Sequence, residues 1–504
     1  MLAGLSQSNF ISILFEQYTE PPEATTNIYS VPEMLTLEQA LKLNPRHWDA
    51  AYRLALLLFQ AERHKEALAC FNVCADMQPD HFPTVYMRAL ALHSLGRFEE
   101  ALAGHERALT LDPASADTCQ NMGNTLRALF RQQEAIAWYD RSLALRPGSA
   151  TVLGNKAVAL AELRRFDEAI MVYHQAIAGD PGHAVAEWNL ALLQLLLGDF
   201  EAGWARQEAR WKTASLSVGY PAFSQPKWLG AESIAGKTVI AYANEGVGDT
   251  IHFVRYAPML AARGAQVILV VHDQLCSLLS RVEGAAQCLP RSTSQLPNCD
   301  FHVPFSSLPL AFGTRLDTIP ADAPYLSAPS ARVQAWRQRL GAHDRLRVGL
   351  VWSGNPKHNN DRNRSLPLRL LAPLLDLDAS FVSLQKDPRP EDRALLGEYR
   401  QIVALTADLA DFTETAALIS CLDLVIGVDT SVAHLAGALA CPTWILLPYT
   451  PDYRWLLDRD DCLWYPTARL FRQTQPGNYA DVVARVRSEL RARIAAWSRD
   501  AAKS

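Results

Sequence analysis

The chain has 504 residues, 49% of them hydrophobic and 20% charged, with a formal net charge of -5. That is ordinary globular composition and too much chain for one domain. Interspersed signs give no basic face for a nucleic-acid backbone and no polybasic membrane anchor, so neither nucleic acid nor a membrane surface is an expected partner.

The N-terminal "MLAGLSQSNFISILFEQ" lacks a basic leader region, and no segment approaches the roughly 20 apolar residues of a membrane span. A cytoplasmic location is expected. The nine cysteines are scattered without a CxxC pair, which points to reduced thiols rather than a zinc site or a disulfide framework. Residues 1–44 read as an N-terminal helical segment.

From there Pro45, Pro79, Pro113, Pro147 and Pro181 recur at steps of 34 residues, the tetratricopeptide period. Small residues stand ten positions after each proline (Ala55, Ala89, Gly123, Ala157, Ala191) and again twenty-two after (Ala67, Ala101, Ala135, Ala169, Gly203). Two helices approach closely only where side chains are small, so this pairing predicts stacked helical hairpins over 45–214. Glu66, Glu100, Glu134 and Glu168 open the second helices, where acids suit the positive helix end. Asn121, Asn155 and Asn189 share one phase of the first helices. Their amides suit either a ladder that holds a peptide backbone or a solvated helix face.

After a turn-rich connector at 215–235, short apolar runs alternate with helical spacing. Thr238–Tyr242, Gln266–Val271 and "FHV" at Phe301 form one series. "RVGLVW" (Arg347–Trp352), "FVSLQ" (Phe381–Gln385), "LVIGV" (Leu424–Val428) and "TWILLP" (Thr443–Pro448) form another. Such runs predict two parallel-sheet, Rossmann-like lobes, 236–344 and 345–504, with a C-terminal helix on the second. Ligands of open parallel sheets sit beyond the carboxyl ends of the strands, so the loops there are the candidate site.

Three loops carry chemistry. "EGVGDT" follows the first strand; it is neither a Walker loop nor a full dinucleotide fingerprint, and Asp249 in it suits a helix cap as well as a catalytic base. "SGNPKHNNDRNR" follows "RVGLVW" with Ser353, Asn355, Lys357, His358, Arg362 and Arg364, a set that either balances a diphosphate or is a solvated loop. "DTSVAH" follows "LVIGV"; Asp429, Thr430 and Ser431 open a helix whose first amides suit a phosphate, with His434 one turn on, although plain capping by Asp429 or Thr430 fits the same residues.

"EGVGDTIHFVRYAPMLAARGAQVILVV" and "VIGVDTSVAHLAGALACPTWILLP" resemble the signature regions of the family-nine glycosyltransferases, the heptosyltransferase group. "GNPKHNNDRNRSLPL", "FVSLQKD" and "PDYRWLLDRDDCLWYPTARLFRQ" resemble bacterial proteins that place tetratricopeptide repeats ahead of such a domain. The resemblance implies a GT-B fold of two Rossmann-like lobes and metal-independent, inverting transfer from a nucleotide-sugar, with no cofactor. It matches Asp249 to a general base, and Asp429, Thr430, Ser431 and His434 to the donor-phosphate turn. Gly246, Gly248, Ser353, Asn355, Lys357, Arg362, Arg364 and Gln385 complete the expected donor side. The three asparagines resemble the peptide ladder of the O-linked N-acetylglucosamine transferase, which implies a protein acceptor, flagellin or another surface protein among the candidates. The alternatives are a lipid or saccharide acceptor and an inactive repeat scaffold. Sugar, nucleotide, client and oligomeric state, a homo-oligomer included, stay open. "DRDD" at Asp458–Asp461 reads as a solvated turn rather than a metal motif.

Overall fold

A computed structural model describes residues 31–213, 223–356, 358 and 360–501. Eleven helices come first, α1 (Val31–Leu43) to α11 (Phe200–Gln207), and their hairpins follow the period in the sequence. The paired small positions are where the helices close on one another. Ala55, Ala67, Ala89, Ala101, Ala135, Ala157 and Ala169 are all fully buried, and a Cβ added at Gly123 would lie 2.5 Å from the Tyr139 ring. Larger side chains there would overpack the interface, at a cost of about 1–3 kcal/mol each.

Three further features repeat with the same step. His47, His81, Ser115, Ser149 and His183 sit two residues after the prolines, and each side chain accepts the backbone N–H three residues on. The turns within hairpins place Glu62, Gly96, Phe130, Arg164 and Gly198 in the left-handed region, φ from 58° to 88°. Glycine occupies only two of the five, so the turn signal is weak in the sequence. Glu66, Glu100, Glu134 and Glu168, expected to act on the helix end alone, each take a bidentate bond from the arginine three residues before: Arg63, Arg97, Arg131 and Arg165. These pairs are exposed and contribute little to stability.

The chain divides into two compact units within α10 (Ala184–Leu196), at Asn189–Leu190. Residues 190–213, which their period groups with the repeats, pack with the α/β unit that follows. Trp204 Nε1 donates to the Thr314 carbonyl at 3.1 Å, and the fully buried Arg210 donates to Ser306 and Ser307 hydroxyls at 2.8 and 2.7 Å.

That unit holds two parallel sheets. The first has the order β3-β2-β1-β4, with β1 Thr238–Tyr242, β2 Gln266–Val271, β3 Ala285–Pro290 and β4 Phe301–Pro304. The second has the order β10-β9-β8-β5-β6-β7, with β5 Arg347–Val351, β6 Ser380–Ser383, β7 Ile402–Val403, β8 Leu424–Val428, β9 Thr443–Leu447 and β10 Ala468–Arg472. Strands β1, β5, β8 and β9 are buried along nearly their whole length, as continuous apolar runs covered on both faces must be. The edge strands β3, β7 and β10 were not visible as apolar runs: no residue of β3 is buried, β7 has two residues, and β10 carries arginines at its second and last positions. The long helix Tyr479–Ala501 closes the second lobe by burying Val482, Val486 and Leu490 in the core with Leu371 and Phe381. Among the described residues no helix is long and apolar enough to cross a membrane.

Candidate active site

Strands β1, β5 and β8 end beside three loops, and the first and third bring the lobes together. After β1 the helix Val247–Phe253 begins at Gly246; after β8 the helix Ser431–Ala438 begins at Thr430. Gly248 makes their approach possible, because an added Cβ would lie 3.0 Å from the His434 ring and 3.5 Å from Ser431 Cα. Its use is therefore close packing of the lobes rather than a left-handed turn. Gly246 likewise has ordinary extended backbone, φ -69°.

Asp249 lies in the first turn, not at the cap. Its Oδ2 accepts the Gly246 N–H at 3.1 Å, and its Oδ1 accepts Arg454 Nη2 at 2.5 Å. Arg454 also donates to Asp452 Oδ1 at 2.9 Å, and all three side chains are buried. The bond of Asp249 to the helix start thus coexists with an ion pair that joins one lobe to the other. Beside it Glu245 is buried with Oε1 3.8 Å from Arg210 Nε. Burial and the neighbouring Asp249 push the Glu245 carboxyl up to about 8, against the pull of Arg210.

The donor-side residues separate into those that meet and those that do not. Asp429 lies 3.5 Å from His434 Nε2. Burial would raise its carboxyl, but the hydrogen bond with His434, helped by the charge of Arg364, holds it well below the usual range. Neither Asp429 nor Thr430 caps the helix by its side chain, which corrects the plain-capping expectation. The buried Thr430 Oγ1 has no partner among the described residues. His434 stacks on Trp455, centroids 5.4 Å apart.

From the basic loop Arg364 reaches this turn, donating from Nη1 to the Asp429 carbonyl at 3.1 Å. Gly354 makes room for it: a Cβ there would sit 2.7 Å from Arg364 Nη2. Arg362 is exposed, and Lys357 lies outside the described residues. The Asn355 carbonyl accepts the His358 N–H, and burial, then Arg364, pushes the His358 imidazole down to about 3. Gln385 Oε1 accepts the backbone N–H of Trp352 and Ser353 at 3.2 and 3.0 Å and so shapes the loop after β5. Ser353 keeps a buried hydroxyl with no partner among the described residues.

In the repeats Asn121, Asn155 and Asn189 are 2–3% exposed. This overturns the solvated face, and it also means that no open ladder is offered: Asn121 Nδ2 donates to Tyr86 Oη at 2.8 Å. Asn155 Nδ2 and Asn189 Oδ1 are buried without partners among the described residues. "DRDD" is held as a turn by the Arg459–Asp461 pair.

Sequence reasoning missed Arg454, Glu245, Tyr465 and Arg255. Arg255 donates across the lobes to the Trp464 carbonyl at 2.7 Å. Their partners stand far away in the chain, and no local spacing announces them.

The chain joins helical repeats to two parallel-sheet lobes whose polar loops meet at the strand ends. Residues 387–472 match glycosyltransferase family 9 (heptosyltransferase). Residues 115–146 and 155–208 match tetratricopeptide repeats, and 33–108 match the anaphase-promoting complex, cyclosome, subunit 3. The chain therefore carries tetratricopeptide repeats and a glycosyltransferase family 9 domain. It is similar to Protein FlbA of Caulobacter vibrioides, 27% identical over 332 residues covering 60% of this chain and 54% of that protein. The chain thus spans about half the length of that curated relative. Among solved structures it is similar to a tetratricopeptide repeat protein from Parabacteroides merdae (19% identity, 37% of this chain, 75% of that one, TM-score 0.34). It is also similar to a thermophilic repeat protein of Thermus thermophilus (22% identity, 32% of this chain, 89% of that one, TM-score 0.29).

Proposed function

We propose that the chain is an inverting glycosyltransferase of GT-B form that moves a sugar from a nucleotide-sugar to a Ser or Thr hydroxyl of a protein client captured by its repeats, in the cytoplasm. The observation that carries the reading is the start of the Ser431–Ala438 helix. Its first amides are free of any side-chain cap, Arg364 is bonded to the turn, and the Asp249 helix lies against it. Uncapped amides and a guanidinium suit a diphosphate.

In the transfer, the acceptor hydroxyl gives its proton to Asp249 Oδ1, its oxygen bonds the anomeric carbon, and the carbon–oxygen bond to the diphosphate breaks. The electron pair leaves on the diphosphate, where amides and Arg364 meet the added charge. Reaching Oδ1 requires the acceptor to displace Arg454 Nη2, so the ion pair between lobes opens as the acceptor enters. The repeats support a protein client because stacked hairpins present extended surfaces for polypeptides. The reading calls for no metal.

Titrating the full chain with a panel of nucleotide-sugars tests the donor side. Saturable binding of one of them, weakened by Asp429→Ala with Ser431→Ala, is expected; no binding by any would sink the reading.

A further inference from the structure

One hydroxyl holds two histidines from opposite lobes. Tyr465 Oη lies 2.9 Å from His252 Nδ1 and 2.9 Å from His434 Nδ1. His252 belongs to the helix Val247–Phe253 and His434 to the helix Ser431–Ala438; Tyr465 stands between β9 and β10, all three buried. The phenol ring is seated on Gly437, where a Cβ would lie 2.4 Å from Tyr465 Cδ1.

A phenol has one proton and two lone pairs, so at most one of the two imidazoles accepts from it. His252 decides which does what. Its Nε2 is buried with no partner among the described residues, and an orphaned buried N–H is rarer and costlier than a bare acceptor. The His252 proton therefore sits on Nδ1 and is donated to Tyr465. Burial, with Arg255 and Arg454, lowers the His252 imidazole well below its ordinary value, which agrees with a single ring proton. Asp429 Oδ1, 3.5 Å from His434 Nε2, can only accept, so the single ring proton of a neutral His434 sits on Nε2 and its Nδ1 accepts the tyrosine proton.

We propose that Tyr465 is the positioning residue of the donor turn: by accepting from His252 and donating to His434, it fixes the His434 form that faces Asp429 only while the two lobes are together. This deepens the transferase reading and rests on it for the meaning of the turn, though not for the hydrogen-bond order. Donor-turn geometry and lobe apposition become one equilibrium, because opening the lobes removes the His252 donor.

The test uses the full chain labelled with 15N-histidine. Long-range proton–nitrogen spectra separate the two tautomers. In the wild type, His252 is expected in the Nδ1–H form and His434 in the Nε2–H form. Both histidines as Nε2–H would overturn the assignment without any variant. Tyr465→Phe keeps the ring and removes the hydroxyl; both signals should shift toward mixed tautomers, and unchanged tautomers would overturn the positioning role. His252→Asn, whose amide can donate from near the Nδ1 position, should keep His434 as Nε2–H. Calorimetry with UDP, GDP and ADP reads the turn itself. The nucleotide that wild type binds should bind about tenfold more weakly to Tyr465→Phe, and equal affinity would overturn the coupling to the donor. Tautomers as stated with no nucleotide bound by wild type would support the hydrogen-bond order and overturn the donor reading.

Discussion

Arg454 and Asp249, 205 positions apart, form a polar link between the lobes, Nη2 to Oδ1 at 2.5 Å with both side chains buried. The pair decides what a substitution at Asp249 will do. Asp249→Asn keeps the bond to Gly246 but leaves a buried guanidinium with Asp452 alone, so stability should fall by roughly 1–3 kcal/mol. Turnover, measured well below the melting temperature, should fall by about 10²–10⁴-fold if Asp249 takes the proton. Asp249→Asn with Arg454→Gln removes the unmatched guanidinium but leaves the buried Asp452 without its cation, so stability should recover only in part. Recovered turnover in that double variant would remove Asp249 as the base.

Glu245 gives the unit a pH dependence of definite sign. Its carboxyl lies at about 8 in the folded chain against an ordinary 4.5, raised first by burial and then by Asp249. The folded state therefore holds more protons than the unfolded one between these values. Its contribution is fully present below about 4.5 and is lost as pH rises through about 8. Glu245→Gln should flatten that decline. Denaturant unfolding at pH 5, 7 and 9 measures it, and the same slope in both proteins would contradict the raised carboxyl.

For the donor turn, Arg364→Ala removes the cation bonded to the Asp429 carbonyl. Nucleotide affinity should fall about tenfold, corresponding to about 1.4 kcal/mol. Isothermal titration with unchanged affinity would shift the diphosphate contact to another residue of the loop.

Asn121→Ala removes the buried amide that donates to the Tyr86 hydroxyl. The expected cost is about 1 kcal/mol or more in a thermal or denaturant melt of the full chain. Full stability combined with weaker client capture would restore the ligand role for this position.

What the sequence revealed follows what is local and repeated. Proline spacing, small residues and buried strands β1, β5 and β8 each impose a pattern within one element, so the repeats and both sheets were legible. The loops after these strands were legible for the same reason. The edge strands were not, since an exposed or two-residue strand needs no apolar run. Nor were the partners of the loop residues. Asp249 could be seen to cap or to catalyse, but Arg454 finds it only through the fold. The brace that Gln385 gives Trp352 and Ser353 was hidden because these partners lie 32–33 positions away. The asparagine phase was visible, whereas its burial depends on how neighbouring hairpins pack.

Intact-mass analysis of candidate client proteins, incubated with the full chain and the nucleotide-sugar it binds, tests the central claim most directly. The account predicts that a client gains the mass of one or more sugar residues with wild type and gains none with Asp249→Asn under the same conditions. Clients unchanged in mass while a saccharide or lipid acceptor is glycosylated, or an equal gain with both proteins, would contradict it.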